Sequence, residues 1–182
     1  MATALIVIAE GFEEIEAVSV IDILRRGGIR LTVAGLTSTQ VKGAHGLAIT
    51  TDTLLESVKS DEFDALIIPG GEPGTTNLEK NDLVADLLKN QAESGRTVAA
   101  ICAAPRILNG LGLLSGKRGT SYPSNADRMT DCTYVEDRVV VDSNIITSRG
   151  PGTAMEFGYA ILESLKSKDI SDRLKQAMLA VS

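Results

Sequence analysis

The sequence has no tryptophan, an aromatic content of 3%, one histidine and two cysteines in 182 residues. So few aromatics, with a formal net charge of -6, leave neither a stacking platform nor a basic face for nucleic acid. Nucleic-acid binding is not expected. With His45 as the single histidine the usual zinc spacings cannot be built, and Cys102 and Cys132 make no disulfide framework. Reduced thiols and no metal are the expectation. Long hydrophobic runs are missing too. The apolar run 4–9 is stopped by Glu10 and lacks the basic start of a signal peptide, so no membrane association and a cytoplasmic location are expected.

What is present is an ordinary globular composition, 43% hydrophobic and 23% charged, enough for one domain over 1–182 with a two-sided core. Short apolar runs at 4–9, 30–35, 65–71, 97–101 and 144–149 read as strands covered on both faces. Helical patterns fall at 14–26, 82–93, 104–113, 153–166 and about 170–180, and Thr153 with Glu156 has the spacing of a capping box. The stretch 131–146 alternates around Asp142, Ser143 and Asn144 and reads as an antiparallel hairpin. Strands alternating with helices predict an α/β three-layer sandwich: a mostly parallel sheet, helices on both faces and one small hairpin.

In such a sheet, ligands bind outside the carboxyl ends of the strands. Those ends carry EGFEEIE, GGEPG, CAAP and SRGPGT. Cys102 occupies a strand-to-helix corner with small neighbours Ala100, Ala103 and Ala104, and Pro105 suits the first turn of a helix. A helix N-terminus there favours the thiolate, the nucleophilic form; a small buried hydrophobe is the alternative, and the turn alone leaves both open. Glu16 falls on the same helical stripe as Val20 and Ile23, with Leu24 at its edge, while Asp22, Arg25 and Arg26 lie opposite. A carboxyl group on an apolar stripe has a raised pKa and stays protonated, able to donate to a nearby anion. Glu13 and Glu14 are read only as complements to the helix dipole. Gly70 and Gly71 let backbone N–H groups approach a ligand and, with the amide of Ala103, form a pocket for an oxyanion, although Gly-Gly alone is mostly turn punctuation. Arg149, with Ser148 beside it, is placed to hold a carboxylate or phosphate at the same mouth; a surface arginine is the commoner case. No phosphate-loop or dinucleotide fingerprint is present.

The motifs EGFEEIEAV, IIPGG, AAICAAP and TSRGPGT, in this order and spacing, resemble the ThiJ/PfpI superfamily, and within it the DJ-one branch, named for the Parkinson-disease-linked protein deglycase. The likeness covers residues 4 to about 165. It implies a flavodoxin-like sandwich, a homodimer, Cys102 as nucleophile, Glu16 as its protonated partner, and backbone groups of Gly70, Gly71 and Ala103 around the site. It also implies cofactor-free action on methylglyoxal or glyoxal, or on their early adducts with thiols and amines. One departure stands out. Where many members place a histidine before proline, this chain has Tyr122 in TSYPS, which weakens a peptidase reading. His45 stands where the branch often has an arginine near the neighbouring subunit's site; a surface-loop histidine is the favoured reading. Apolar Ile15, Val18 and Ile21 outside the Glu16 stripe point the same way as the implied dimer. The competing reading is a redox sensor or oxidation-activated chaperone in which Cys102 becomes a sulfinate.

Overall fold

The apolar runs enter one sheet in the computed structural model, which describes residues 1–180. Its strands in chain order are β1 (Thr3–Ile8), β2 (Arg30–Gly35), β3 (Gln40–Lys42), β4 (Ala48–Thr50), β5 (Thr53–Leu54), β6 (Ala65–Ile68), β7 (Thr97–Ile101), β8 (Arg118–Gly119), β9 (Thr133–Tyr134), β10 (Val139–Asp142) and β11 (Ile145–Ser148). The helices are α1 (Glu14–Arg26), α2 (Gly74–Glu79), α3 (Asp82–Glu93), α4 (Pro105–Gly110), α5 (Ala154–Leu165) and α6 (Lys168–Ala177). The main sheet runs β10-β11-β7-β6-β1-β2-β5, and every pair in it is parallel except β10 with β11.

Both faces are buried, which is why the central strands read as continuous apolar runs. Ala4, Ile6, Ile8, Ile67 and Ile101 join the core under α1 and α5. Their alternates Leu5, Val7, Leu66, Ile68 and Val98 join a second core with Val84 and Leu88 of α3 and Ile107 and Leu108 of α4. Chain order reverses between β1 and β6, since β1 leads to β2 on one side and β6 leads to β7 on the other. That reversal is the switch point where loops part and a site can form.

Several boundaries differ from the sequence reading. The run 65–71 leaves the ladder after Ile68, freeing 69–71 as a loop. The helix expected at 104–113 ends at Gly110, with Gly112 at φ 74° closing the turn. Helix 153–166 starts at Ala154 without the expected capping box: Thr153 Oγ1 bonds to Gly150 and Ser148, and Glu156 pairs with Arg138. The final helix begins at Lys168 rather than near 170, because Ser167 Oγ accepts from the Ile170 N–H. The hairpin turns at Asp142, Ser143 and Asn144 as expected, yet its strands cover 139–148, and Thr133–Tyr134 pairs with Arg118–Gly119 instead. The short β3–β4 hairpin and α2 were not foreseen. Among the described residues, no helix is long and apolar enough to cross a membrane.

Candidate active site

Cys102 is the first residue beyond β7 and holds φ 65°, in the left-handed region that disfavours any side chain. Its N–H donates to the Ser148 carbonyl at 2.9 Å, and its carbonyl accepts from the Tyr122 N–H at 2.8 Å. Both backbone groups are thus tied while the thiol is turned out of the ladder. Burial pushes that thiol up, the Glu16 charge and hydrogen bond push it further, and the N–H groups of Ala103 and Gly71 pull the other way. The expectation that a helix N-terminus favours the thiolate is corrected here. Helix α4 has six residues, and desolvation outweighs its dipole.

Glu16 sits where its stripe placed it, fully buried with Ala17, Val20, Ile23 and Leu24. Its Oε2 accepts from the Gly70 N–H at 2.7 Å, while Oε1 is buried with no partner in ordinary hydrogen-bond geometry. Burial lifts the carboxyl to about 7 against the opposing hydrogen bonds of Gly70 and Cys102, with Glu13 adding a small repulsion. The two acids form one hydrogen-bonded pair, in which Glu16 loses its proton near 7 and the thiol holds its own above the usual thiol range. When a proton rests on Glu16, repulsion of the sulfur gives way to a donated hydrogen bond.

Gly70 has a different role from the one expected. Its amide is committed to Glu16 and is not free for a substrate oxygen. The absence of a side chain is what matters: a Cβ there would stand 2.6 Å from Cys102 Cβ and 2.7 Å from Glu16 Oε2. Gly71, at φ 93°, turns its N–H toward Cys102 and leaves no room for a side chain against Glu13 and Gly11. The amides at the sulfur are therefore those of Gly71 and Ala103.

Ser148 is not available for an anion. It is fully buried, its Oγ donates to the Arg138 carbonyl at 2.7 Å, and it shares a 2.6 Å contact with Thr153 Oγ1. Arg149 and the half-exposed Tyr122 do meet, at a cavity of about 330 Å³ also lined by Glu136, Arg138 and Gly150. Arg149 Nη1 donates to the Glu136 carbonyl at 3.0 Å and pairs with Glu136 Oε2 at 3.4 Å.

His45 is an exposed loop residue, but it is held. Its Nδ1 lies 2.9 Å from Glu14 Oε2, and its N–H donates to Glu14 Oε1 at 2.7 Å. Glu14 also accepts from the Leu47 N–H, and Glu13 caps α1 by accepting from the Ile15 N–H. Both carboxylates are buried, so the dipole reading of Glu13 and Glu14 is incomplete: Glu14 anchors the β3–β4 hairpin to α1. No local pattern announces a contact 31 residues apart. The ligand atoms of Glu13, Glu14 and His45 lie within 4.8 Å of one another, the one such grouping among the described residues. The histidine count excludes zinc spacings along the chain but does not foresee this grouping. Cys132 is free and half-buried, its Sγ 3.6 Å from the Met129 carbonyl.

The profile of the DJ-1/PfpI family matches residues 2–164. The chain belongs to the DJ-1/PfpI family. It is 44% identical over 180 residues to Protein dj-1beta of Drosophila melanogaster, covering 97% of this chain and 96% of that protein. The crystal structure of that relative superposes with a TM-score of 0.96 over 100% of this chain and 99% of the other. A Caenorhabditis elegans family member named glutathione-independent glyoxalase DJR-1.2 is 40% identical over 167 residues, 91% of this chain and 89% of its own length. The structure titled Toxoplasma gondii DJ-1, oxidized, has a TM-score of 0.95 at 34% identity, covering 98% of each chain. The family fold is flavodoxin-like, as the order of the parallel strands in this sheet also indicates.

Proposed function

We propose that the chain is a cofactor-free, cysteine-dependent glyoxalase that converts methylglyoxal or glyoxal, or their early thiol and amine adducts, to 2-hydroxy acids. The observation that carries the reading is the hydrogen bond between Cys102 and the buried Glu16, whose carboxyl is lifted to about 7 and whose Oε1 has no other partner. The relative named as a glutathione-independent glyoxalase supports the same class.

In this reading the Cys102 thiolate adds to the aldehyde carbon of methylglyoxal, and protonated Glu16 delivers its proton to the new oxyanion, giving a hemithioacetal. The N–H groups of Gly71 and Ala103 hold the oxygen as charge develops. Ionised Glu16 then removes the proton from the former aldehyde carbon, giving an enediolate, and returns it to the neighbouring carbon while the hydroxyl proton passes from the first oxygen to the second. The product is a lactyl thioester of Cys102, and water cleaves it to lactate and free thiol. Nothing is oxidised overall: the hydrogen moves from one carbon to the next, and one water is added. The pocket at Tyr122 and Arg149 would face the far end of the substrate. No histidine is required, which agrees with Tyr122 standing before Pro123. The test is lactate formation from methylglyoxal without glutathione, which Cys102→Ser should abolish.

A second reading is favoured by one finding, the relative whose structure is titled as oxidized. Cys102 oxidised to a sulfinate would keep the amides of Gly71 and Ala103 as donors and take another hydrogen bond from protonated Glu16. Cys132 has no place in a disulfide relay in this reading. The two roles use one thiol, and graded peroxide followed by the lactate assay separates them.

For assembly, we propose a homodimer through α1 and α5, because Ile15, Val18 and Met155 are exposed together on that face. The chain acts as one domain in the cytoplasm in this account.

A further inference from the structure

We infer that Arg106 is a positioning residue for the Cys102 site, tying the Gly70–Gly71 loop and the Tyr122 segment to the strand-to-helix corner through one buried guanidinium. The inference rests on the reading of Cys102 as the reacting thiol. Arg106 lies on α4, four residues after Cys102, and is buried although it is ionised. A buried guanidinium persists only where its donors are matched. Here they are matched by residues from separate segments: Nη1 to Glu72 Oε1 at 2.5 Å and to Asn125 Oδ1 at 3.2 Å, Nη2 to Thr76 Oγ1 at 2.9 Å, and Nε to Glu79 Oε2 at 3.2 Å.

Two of these arms run straight back to the thiol. Glu72 directly follows Gly71, whose N–H points at Cys102, and Gly70, whose N–H holds Glu16. Asn125 donates its N–H to the Tyr122 carbonyl at 2.9 Å, and the Tyr122 N–H in turn donates to the Cys102 carbonyl. The planar fork of an arginine spans these acceptors, whereas a lysine ammonium has no such geometry. The arm to Glu79 reaches the last residue of α2 and, through Glu79, Arg128 at the end of the turn that holds Asn125, farther along both segments from the thiol than Glu72 and Asn125. This difference separates positioning from general stabilisation.

The experiment uses the full chain with Cys132→Ser, and it reads iodoacetamide alkylation of Cys102 against pH, steady-state kinetics on methylglyoxal, and Tm. For Glu72→Ala and Arg106→Met we expect kcat to fall ~10-fold with KM within about two-fold, as loss of alignment does, and the alkylation midpoint to move to higher pH as the Gly71 amide drifts from the sulfur. Glu72→Gln keeps an oxygen for Nη1 and should stay within about two-fold of the parent. Glu79→Ala should lower Tm and leave both rates within about two-fold. Arg106→Met is the variant most exposed to misfolding; Glu72, whose side chain is 48% exposed, keeps the test valid without it. A pure charge effect would move the midpoint down for Glu72→Ala and would make Glu72→Gln behave like Glu72→Ala; either result overturns the inference. Equal losses in Glu72→Ala and Glu79→Ala, in proportion to Tm, would overturn it too. Alkylation needs no turnover, so a parent protein that makes no lactate but shows these midpoint shifts would refute the glyoxalase reading alone.

Discussion

Glu16 holds a proton in the folded protein that it would release in the unfolded chain, and both activity and stability should register it. Its carboxyl moves from an ordinary 4.5 to about 7 through burial. Because the folded value is raised, the stabilising contribution is fully present below about 4.5 and is lost as pH rises through about 7; its size is on the order of 3 kcal/mol. Chemical denaturation at fixed protein concentration should give a falling stability across this window, and Glu16→Gln should flatten it. Turnover should rise through about 7 as the pair loses its first proton. Glu16→Gln should lower turnover of methylglyoxal ~100-fold or more, since proton transfer is gone. Peroxide should still modify Cys102 ahead of Cys132 in that variant, because the carboxylate that repelled the thiolate has been removed; peptide mass spectrometry after graded peroxide reads this. Glu16 was legible because a helical stripe is a local pattern. The fates of Gly70 and Glu14 were not, because each is decided by a partner far away in the chain, and that of Ser148 was not, because it turns on the Arg138 carbonyl beside the neighbouring strand and on Thr153.

At the scale of elements, the site is two loops and a corner held by backbone contacts. Glycine at position 70 is the tightest point, and Gly70→Ala should cost catalysis ~100-fold or more while destabilising the fold by ~1–3 kcal/mol, since backbone or Cys102 must shift to admit the methyl group. Kinetics and thermal melting of the same sample check both. The β3–β4 hairpin is a separate device, fastened to the start of α1 by Glu14. Hydrogen bonding to Glu14, and the charges of Glu13 and Glu14, raise the His45 imidazole above its ordinary value, so an NMR titration should find it above 6.5 and find it lowered in Glu14→Gln. His45→Ala should leave turnover within a few-fold, because the imidazole is engaged by Glu13 and Glu14 rather than by the thiol. A large loss of kcat would contradict that assignment. The long central strands and α1 were readable from apolar runs and periodicity. The hairpin was not, since three-residue strands carry too little pattern, and α2 has only six residues.

For the whole molecule, the order of the strands matters more than any one of them. Alternating strands and helices specify a parallel sheet, and its switch point lies between β1 and β6, the strands that lead to Glu16 and Gly70. The parallel sheet follows from the sequence, and the strand order with its switch point from the structure. Ile15 and Val18 were legible outside the Glu16 stripe, whereas the exposure of Met155 and the partial burial of Ile21 follow only from packing: Ile15, Val18 and Met155 stay exposed after α1 and α5 have packed together. Val18→Asp should convert a dimer into a monomer in sedimentation velocity at micromolar concentration, and a monomeric parent protein would remove the proposed interface. The central claim, that one thiol and one buried carboxyl group perform the chemistry, is tested most directly by incubating purified protein with methylglyoxal in the absence of glutathione and measuring lactate. The account predicts lactate from the parent protein, none above background from Cys102→Ser, and a ~100-fold or greater loss in Glu16→Gln. Undiminished lactate from either variant, or none from the parent, would contradict it.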